Sequence, residues 1–99
     1  MLEDLKQEDF ANHLDTKFEI DFGAETPVEA ALIEVTEPVE IGETTAFKLL
    51  FLVPPDTPVD QRIFNVRHDA LGPFELFLVP VEGTSDGIKY EAVINRTLG

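Results

Sequence analysis

The chain has no cysteine, which removes disulfides and thiolate nucleophiles, so apolar burial must hold the fold unless a metal or a partner subunit contributes. It has no apolar run approaching the ~20 residues that span a bilayer as a helix. Positive charge is scarce: seven Lys and Arg stand against 20 Asp and Glu, a net charge of −13. A field of that sign repels phosphate backbones and anionic headgroups, so neither direct nucleic-acid binding nor membrane binding is expected. Met1 to Leu5 carries two acids where a secretory signal would carry basic charge, and the expected location is the cytoplasm. Asn95-Arg96-Thr97 matches a glycosylation sequon, which carries no weight without secretion.

What is present bounds the answer. A chain of 99 residues has room for a single domain. Hydrophobic residues make up 43% of it, eight of them phenylalanines, enough for a modest core. The acid is lopsided, with 13 acids against two lysines up to Glu43 and seven against five bases afterwards. Three readings fit that asymmetry: a solvated surface that keeps a small domain in solution, a complement to a basic partner or a mimic of nucleic-acid charge, and adaptation to high salt or divalent ions.

The hydrophobic period changes along the chain. Phe10 and Leu14 lie one helical turn apart in a segment that Asp4 can N-cap, which predicts a short helix over 4–14. From Lys17 the period is two, with Phe18, Ile20 and Phe22 alternating with Lys17, Glu19 and Asp21. Further strands are expected over 28–36, 46–53, 62–68, 74–81 and 88–98, with turns at Gly23 to Pro27, Glu37 to Gly42 and Asp69 to Pro73. Ala46 to Val53 is apolar almost throughout and reads as a central strand covered on both faces. Pro54 to Asp60 holds three prolines and cannot be an interior strand. Short strands without intervening helices predict an all-β domain over 1–99, a small antiparallel sandwich or barrel of about six strands with one short N-terminal helix.

Gly83-Thr84-Ser85-Asp86-Gly87 matches G-x-S-x-G, the nucleophile pattern of many hydrolases. That motif needs a strand-to-helix turn with an acid and then a histidine after it. Only 12 residues follow Gly87, they alternate like a strand, and no histidine is among them. The stretch reads instead as a hairpin turn, with Asp86-Gly87 tolerating positive φ. Pairing Val81 with Ile88 sets Val79 opposite Tyr90 and Phe77 opposite Ala92, leaving Leu76, Leu78 and Pro80 as an apolar outer row. Pro80 donates no ladder bond and asks for a strand end or an edge position, so this row is either covered by a loop or the N-terminal helix or serves as a docking surface for another chain.

Other chemistry is thin. His68 and Asp69 are strand neighbours and face opposite sides. His13 and Asp15 lack partners at zinc spacing, and Thr84 to Asp86 lacks an ordered calcium ladder. No catalytic residue, metal ligand or cofactor is expected, and the phenylalanines and the lone tyrosine read as core.

Phe74-Glu75-Leu76-Phe77-Leu78-Val79-Pro80-Val81 with Asp86-Gly87-Ile88-Lys89-Tyr90-Glu91-Ala92-Val93-Ile94-Asn95 resembles the signature ending of a bacterial family of about 100 residues, a domain of unknown function. Leu5 to Phe10, Phe18 and the Leu71-Gly72 turn are similar as well. The resemblance implies a role accessory to phage-tail-collar-like proteins and supplies no catalytic residue. The leading expectation is a non-enzymatic interaction or assembly module, alone or accessory to a tail-like or filamentous protein, that meets a protein partner or another copy through a sheet edge. The rivals are a ligand-binding or enzymatic barrel, its phenylalanine-lined pocket opening beside His68, Arg67 or Glu34, and an acidic mimic or inhibitor of a nucleic-acid-binding protein.

Overall fold

The computed structural model of the chain describes Leu2 and residues 5–97. One short helix, α1 (Gln7–Ala11), precedes seven strands: β1 (Lys17–Ile20), β2 (Val28–Val35), β3 (Val39–Ile41), β4 (Thr44–Val53), β5 (Arg62–His68), β6 (Gly72–Thr84) and β7 (Gly87–Thr97). All pairings are antiparallel, in the order β2-β1-β5-β6-β7-β4-β3, and β2 also pairs with β4. That last pairing closes six strands into a barrel, with β3 outside the ring as a flange on β4. Of the two expected architectures, the barrel is the one formed.

Alternation builds the wall. Phe18 and Ile20 on β1, Phe64 and Val66 on β5, and Leu49, Phe51 and Val53 on β4 are all at most 2% exposed, while their neighbours face out. The β4–β7 ladder is the longest, running from Thr44 opposite Thr97 to Val53 opposite Ile88. β4 is nonetheless covered on one face only: Lys48 is exposed outward, and Leu50 and Leu52 are half-buried there. Closure explains this, because a barrel gives every strand one inner face and needs no strand buried on both.

β3 was not expected from the sequence. It is three residues long, follows Pro38, and turns back through Gly42 and Glu43, with Gly42 at φ 61°. Val39 and Ile41 are largely exposed, and Glu40 sits between them.

Both barrel mouths are covered. At one, α1 delivers Phe10, fully buried, against Phe47 at 6.1 Å and edge-on to Phe74 at 5.9 Å between ring centroids. Burying such a side chain contributes about 1.5–3 kcal/mol. The Asp9 carboxylate accepts the Lys6 N–H at 2.7 Å, and the Gln7 side chain donates to the Thr36 carbonyl at 3.1 Å. The helix is shorter than the predicted 4–14. Asp15 takes a left-handed φ of 64° and its N–H bonds Leu32 on β2, so the chain leaves helical geometry before Leu14, which is 43% exposed. The Asp4 cap and the strand end at Leu98 lie outside the described residues.

At the other mouth, Phe22, Phe64 and Tyr90 pack ring to ring, Phe22 lying 4.6 Å from Phe64 and 5.7 Å from Tyr90. The proline-rich segment between β4 and β5 folds over them. Tyr90 Oη accepts the Asp60 N–H at 3.1 Å and donates to the Pro58 carbonyl at 3.4 Å. Gly87 seals the joint with β4: a Cβ there would collide with the Val53 carbonyl oxygen and lie 2.9 Å from Leu52 Cδ1, and its φ of 150° already disfavours a side chain. Between the two plugs the bore is filled by side chains.

Candidate functional site

The hairpin that carries the G-x-S-x-G match is a turn. Thr84 pairs with Gly87 across a two-residue tip, the Asp86 N–H donates to Thr84 Oγ1 at 3.2 Å, and Ser85 is exposed. His68 closes β5 opposite Gly72, at the far end of β6. Thirteen residues of strand at about 3.3 Å each separate that pair from the tip, so no imidazole serves Ser85.

The register of this hairpin corrects the expected docking row. The tip closes at Thr84 and Gly87, and one extra residue, Val81, bulges between Pro80 and Glu82. Before the bulge Val79 faces Glu91 and Pro80 faces Tyr90, one residue out of the predicted pairing. A slip of one exchanges the two faces of a strand. Leu76 and Leu78 therefore point into the core at 2% and 0% exposure, while Phe77 points out at 52%. Pro80 is half-buried on β6, which lies between β5 and β7 rather than at an edge. Its missing N–H is tolerated because β5 pairing ends at Leu78, and from Val79 onward that side of β6 is open.

The outer face thereby acquires Phe77, Val79 and Val81, which the predicted register places inside. Ile63 on β5 lies directly opposite Phe77 and is 61% exposed. Val81 and Val93 are each 49% exposed, and Val79 is half-buried on the same side of β6 as Phe77. Past Val81 the surface dips into an open hollow of about 580 Å³, where Leu50 and Val81 are ringed by Glu34, Lys48, Lys89 and Glu91. A signal for part of this was available, since alternation in Arg62 to His68 sends Ile63 outward once Phe64 and Val66 are assigned inward. Lys17, Arg62, Arg67 and Lys89 each pair with a surface acid, at 3.3, 2.8, 3.1 and 3.0 Å. Such exposed pairs are worth at most about 1 kcal/mol, and they leave the acidic excess in place.

The residues expected around a ligand pocket do not converge. Arg67 is held by Glu19 on the outside, Glu34 is exposed beside the hollow, and His68 is turned inward at 8% exposure. No group of three His, Cys, Asp or Glu side chains is placed to hold a metal among the described residues.

His68 has a different setting, invisible in the sequence because the threonine and histidine beside it are remote. Its Nδ1 accepts the N–H groups of Ala70 at 3.0 Å and Leu71 at 3.3 Å, so Nδ1 is the unprotonated nitrogen. Nε2 then carries the proton and donates to Thr16 Oγ1 at 3.0 Å, and that hydroxyl donates to the His13 carbonyl at 2.6 Å. The ring lies between Phe18, at 4.4 Å, and the His13 imidazole, at 4.7 Å. Burial, and after it the neighbouring His13, hold the basicity of His68 below the ordinary value of 6.5, with Asp69 acting weakly the other way. The group is a neutral tie between two turns.

Among the described residues no helix is long and apolar enough to cross a membrane. Neither curated proteins nor solved structures gave a match. A family model does match, over residues 5–94, which takes in α1, both mouth plugs and almost all of the barrel. The chain thus belongs to the family described as a domain of unknown function, DUF6916.

Proposed function

We propose that the protein is a non-catalytic interaction module that binds a protein partner on the outer barrel face centred on Ile63 and Phe77. The observation that carries this reading is the division of β6, whose Leu76 and Leu78 fill the core while Phe77, between them, stands half in water against a still more exposed Ile63. Exposed apolar residues that adjoin across strands mark contact surfaces more often than scattered ones do. The occupant is a protein with an apolar centre and a basic rim. A net charge of −13 opposes a second copy of the chain, and Glu75 and Glu91 share the outer face with the patch. A subunit of the tail-like assembly implied by the sequence resemblance is one source of such a partner.

The test compares two variants in affinity capture from the native host. Phe77→Asp, at a half-exposed position, keeps the circular dichroism spectrum at a cost of about 1 kcal/mol, but it loses a basic partner that the parent protein and Leu14→Asp retain. Added salt weakens the parent's retention. Retention of the partner by Phe77→Asp, or sedimentation showing that the chain pairs with itself through this face, overturns the reading.

A further inference from the structure

We infer that the cluster of His68, Thr16 and His13 is an acid-released latch, which ties the turn after α1 to the β5–β6 turn at neutral pH and lets go when His68 gains a second proton. The argument is one of hydrogen-bond direction. Both ring nitrogens of His68 and the Thr16 hydroxyl are committed: two amides point at Nδ1, Nε2–H points at the Thr16 hydroxyl, and that hydroxyl points at the His13 carbonyl. A second proton has only Nδ1 to occupy, where it meets the N–H groups of Ala70 and Leu71 head on. Two acceptor bonds become two donor–donor clashes, inside a site with 8% exposure.

The groups facing the ring do not offset the added charge. From the turn after α1 comes His13, whose electrostatic effect on His68 opposes the added proton. From β1 comes Phe18, apolar; its neighbours Lys17 and Glu19 are engaged by Glu29 and Arg67. From the β5–β6 turn comes Asp69, exposed, whose charge favours the imidazolium but ranks behind burial and His13.

Release is local. α1 spans only five residues, and with the latch open the segment is still held by side chains that include Phe10 in the mouth, Leu2 and Leu5 against the core, Gln7 on Thr36 and Arg96 on the Leu2 carbonyl. The barrel ladders contain no histidine other than His68, which closes β5. Acid therefore loosens the α1 mouth before it affects the β4–β7 wall.

The sign follows from linkage. The unfolded chain binds the proton more readily than the native cluster does, so stability supplied by the latch is complete above the ordinary histidine value of 6.5 and is lost as pH falls below it.

The experiment is urea unfolding between about pH 5.5 and 7.5, a window in which carboxylates stay ionised, together with imidazole ¹⁵N and backbone amide spectra. In the parent protein the unfolding constant rises with acidification by at most about tenfold per pH unit, the limit for one proton. The Ala70 and Leu71 amides shift with the same midpoint as the His68 ring. His68→Asn, whose carbonyl oxygen still accepts the turn amides but does not titrate, shows a flat profile in the window, and His13→Asn retains a slope. A flat profile for the parent, an unchanged slope in His68→Asn, or a His68 Nδ1 that already carries a proton at neutral pH overturns the inference. Should His68→Asn not fold, the parent's ring and amide titrations decide alone, because a latch requires their midpoints to coincide below the ordinary histidine value.

Discussion

The two mouths of the barrel are closed by different chemistry. At the α1 mouth a fully buried phenylalanine does the filling, and a neutral histidine with a threonine hydroxyl ties the neighbouring turns together. At the other mouth a tyrosine fills, and its own hydroxyl ties the overlying segment by giving one hydrogen bond and taking another. One closure divides filling and fastening between residues far apart in the chain, and the other unites them in Tyr90. A phenol gives and accepts without changing charge where imidazoles titrate, so the divided closure is the acid-sensitive one.

The comparison can be broken most forcefully at Phe10. Phe10→Ala empties the α1 mouth and is expected to cost about 3–5 kcal/mol, read as a lower urea midpoint with the slope preserved. If the loss were under about 1 kcal/mol, α1 would be an ornament on a barrel sealed by other means. Tyr90→Phe keeps the filling and removes the fastening at the opposite mouth. It leaves the Asp60 amide and Pro58 carbonyl without their partner and is expected to cost about 1–2 kcal/mol. A loss of amide protection between residues 54 and 61, relative to the parent and of the same factor at pH 6 and pH 7.5, would distinguish this closure from the histidine latch. Smallest is Ser85→Ala, on the exposed tip beyond Tyr90, expected to stay within about 0.5 kcal/mol of the parent. A Ser85→Ala protein that lost a hydrolytic activity held by its parent would contradict the assignment of this stretch as a turn.

Legibility in the sequence followed the range of the interactions. The strands at β1, β2, β5, β6 and β7 are readable because alternation is local, and Phe64 against Ile63 shows the inner and outer faces without a structure. β3 is not readable, since three residues between a proline and a glycine carry no period and take their geometry from β4. The hairpin is the instructive failure. Each of its strands was placed, but the tip is tighter than Val81 opposite Ile88 would make it, and the bulge at Val81 restores only part of the difference. The remaining one-residue offset moved the candidate docking row from Leu76 and Leu78 to Phe77. For His68 alternation excludes the adjacent aspartate and names no other partner; beyond the two amides of its own turn, the side chains beside it are a threonine and a histidine more than fifty residues away, brought in by the β1–β5 pairing.

β3 has a bearing on behaviour in crowded solution. Among the described strands it alone lies outside the closed ring, and it presents three residues, fronted by a glutamate and stopped by a proline. Fibril growth requires a ladder onto which further chains can be added, and this rung is too short and too charged to start one. The flange therefore gives amyloid little foothold.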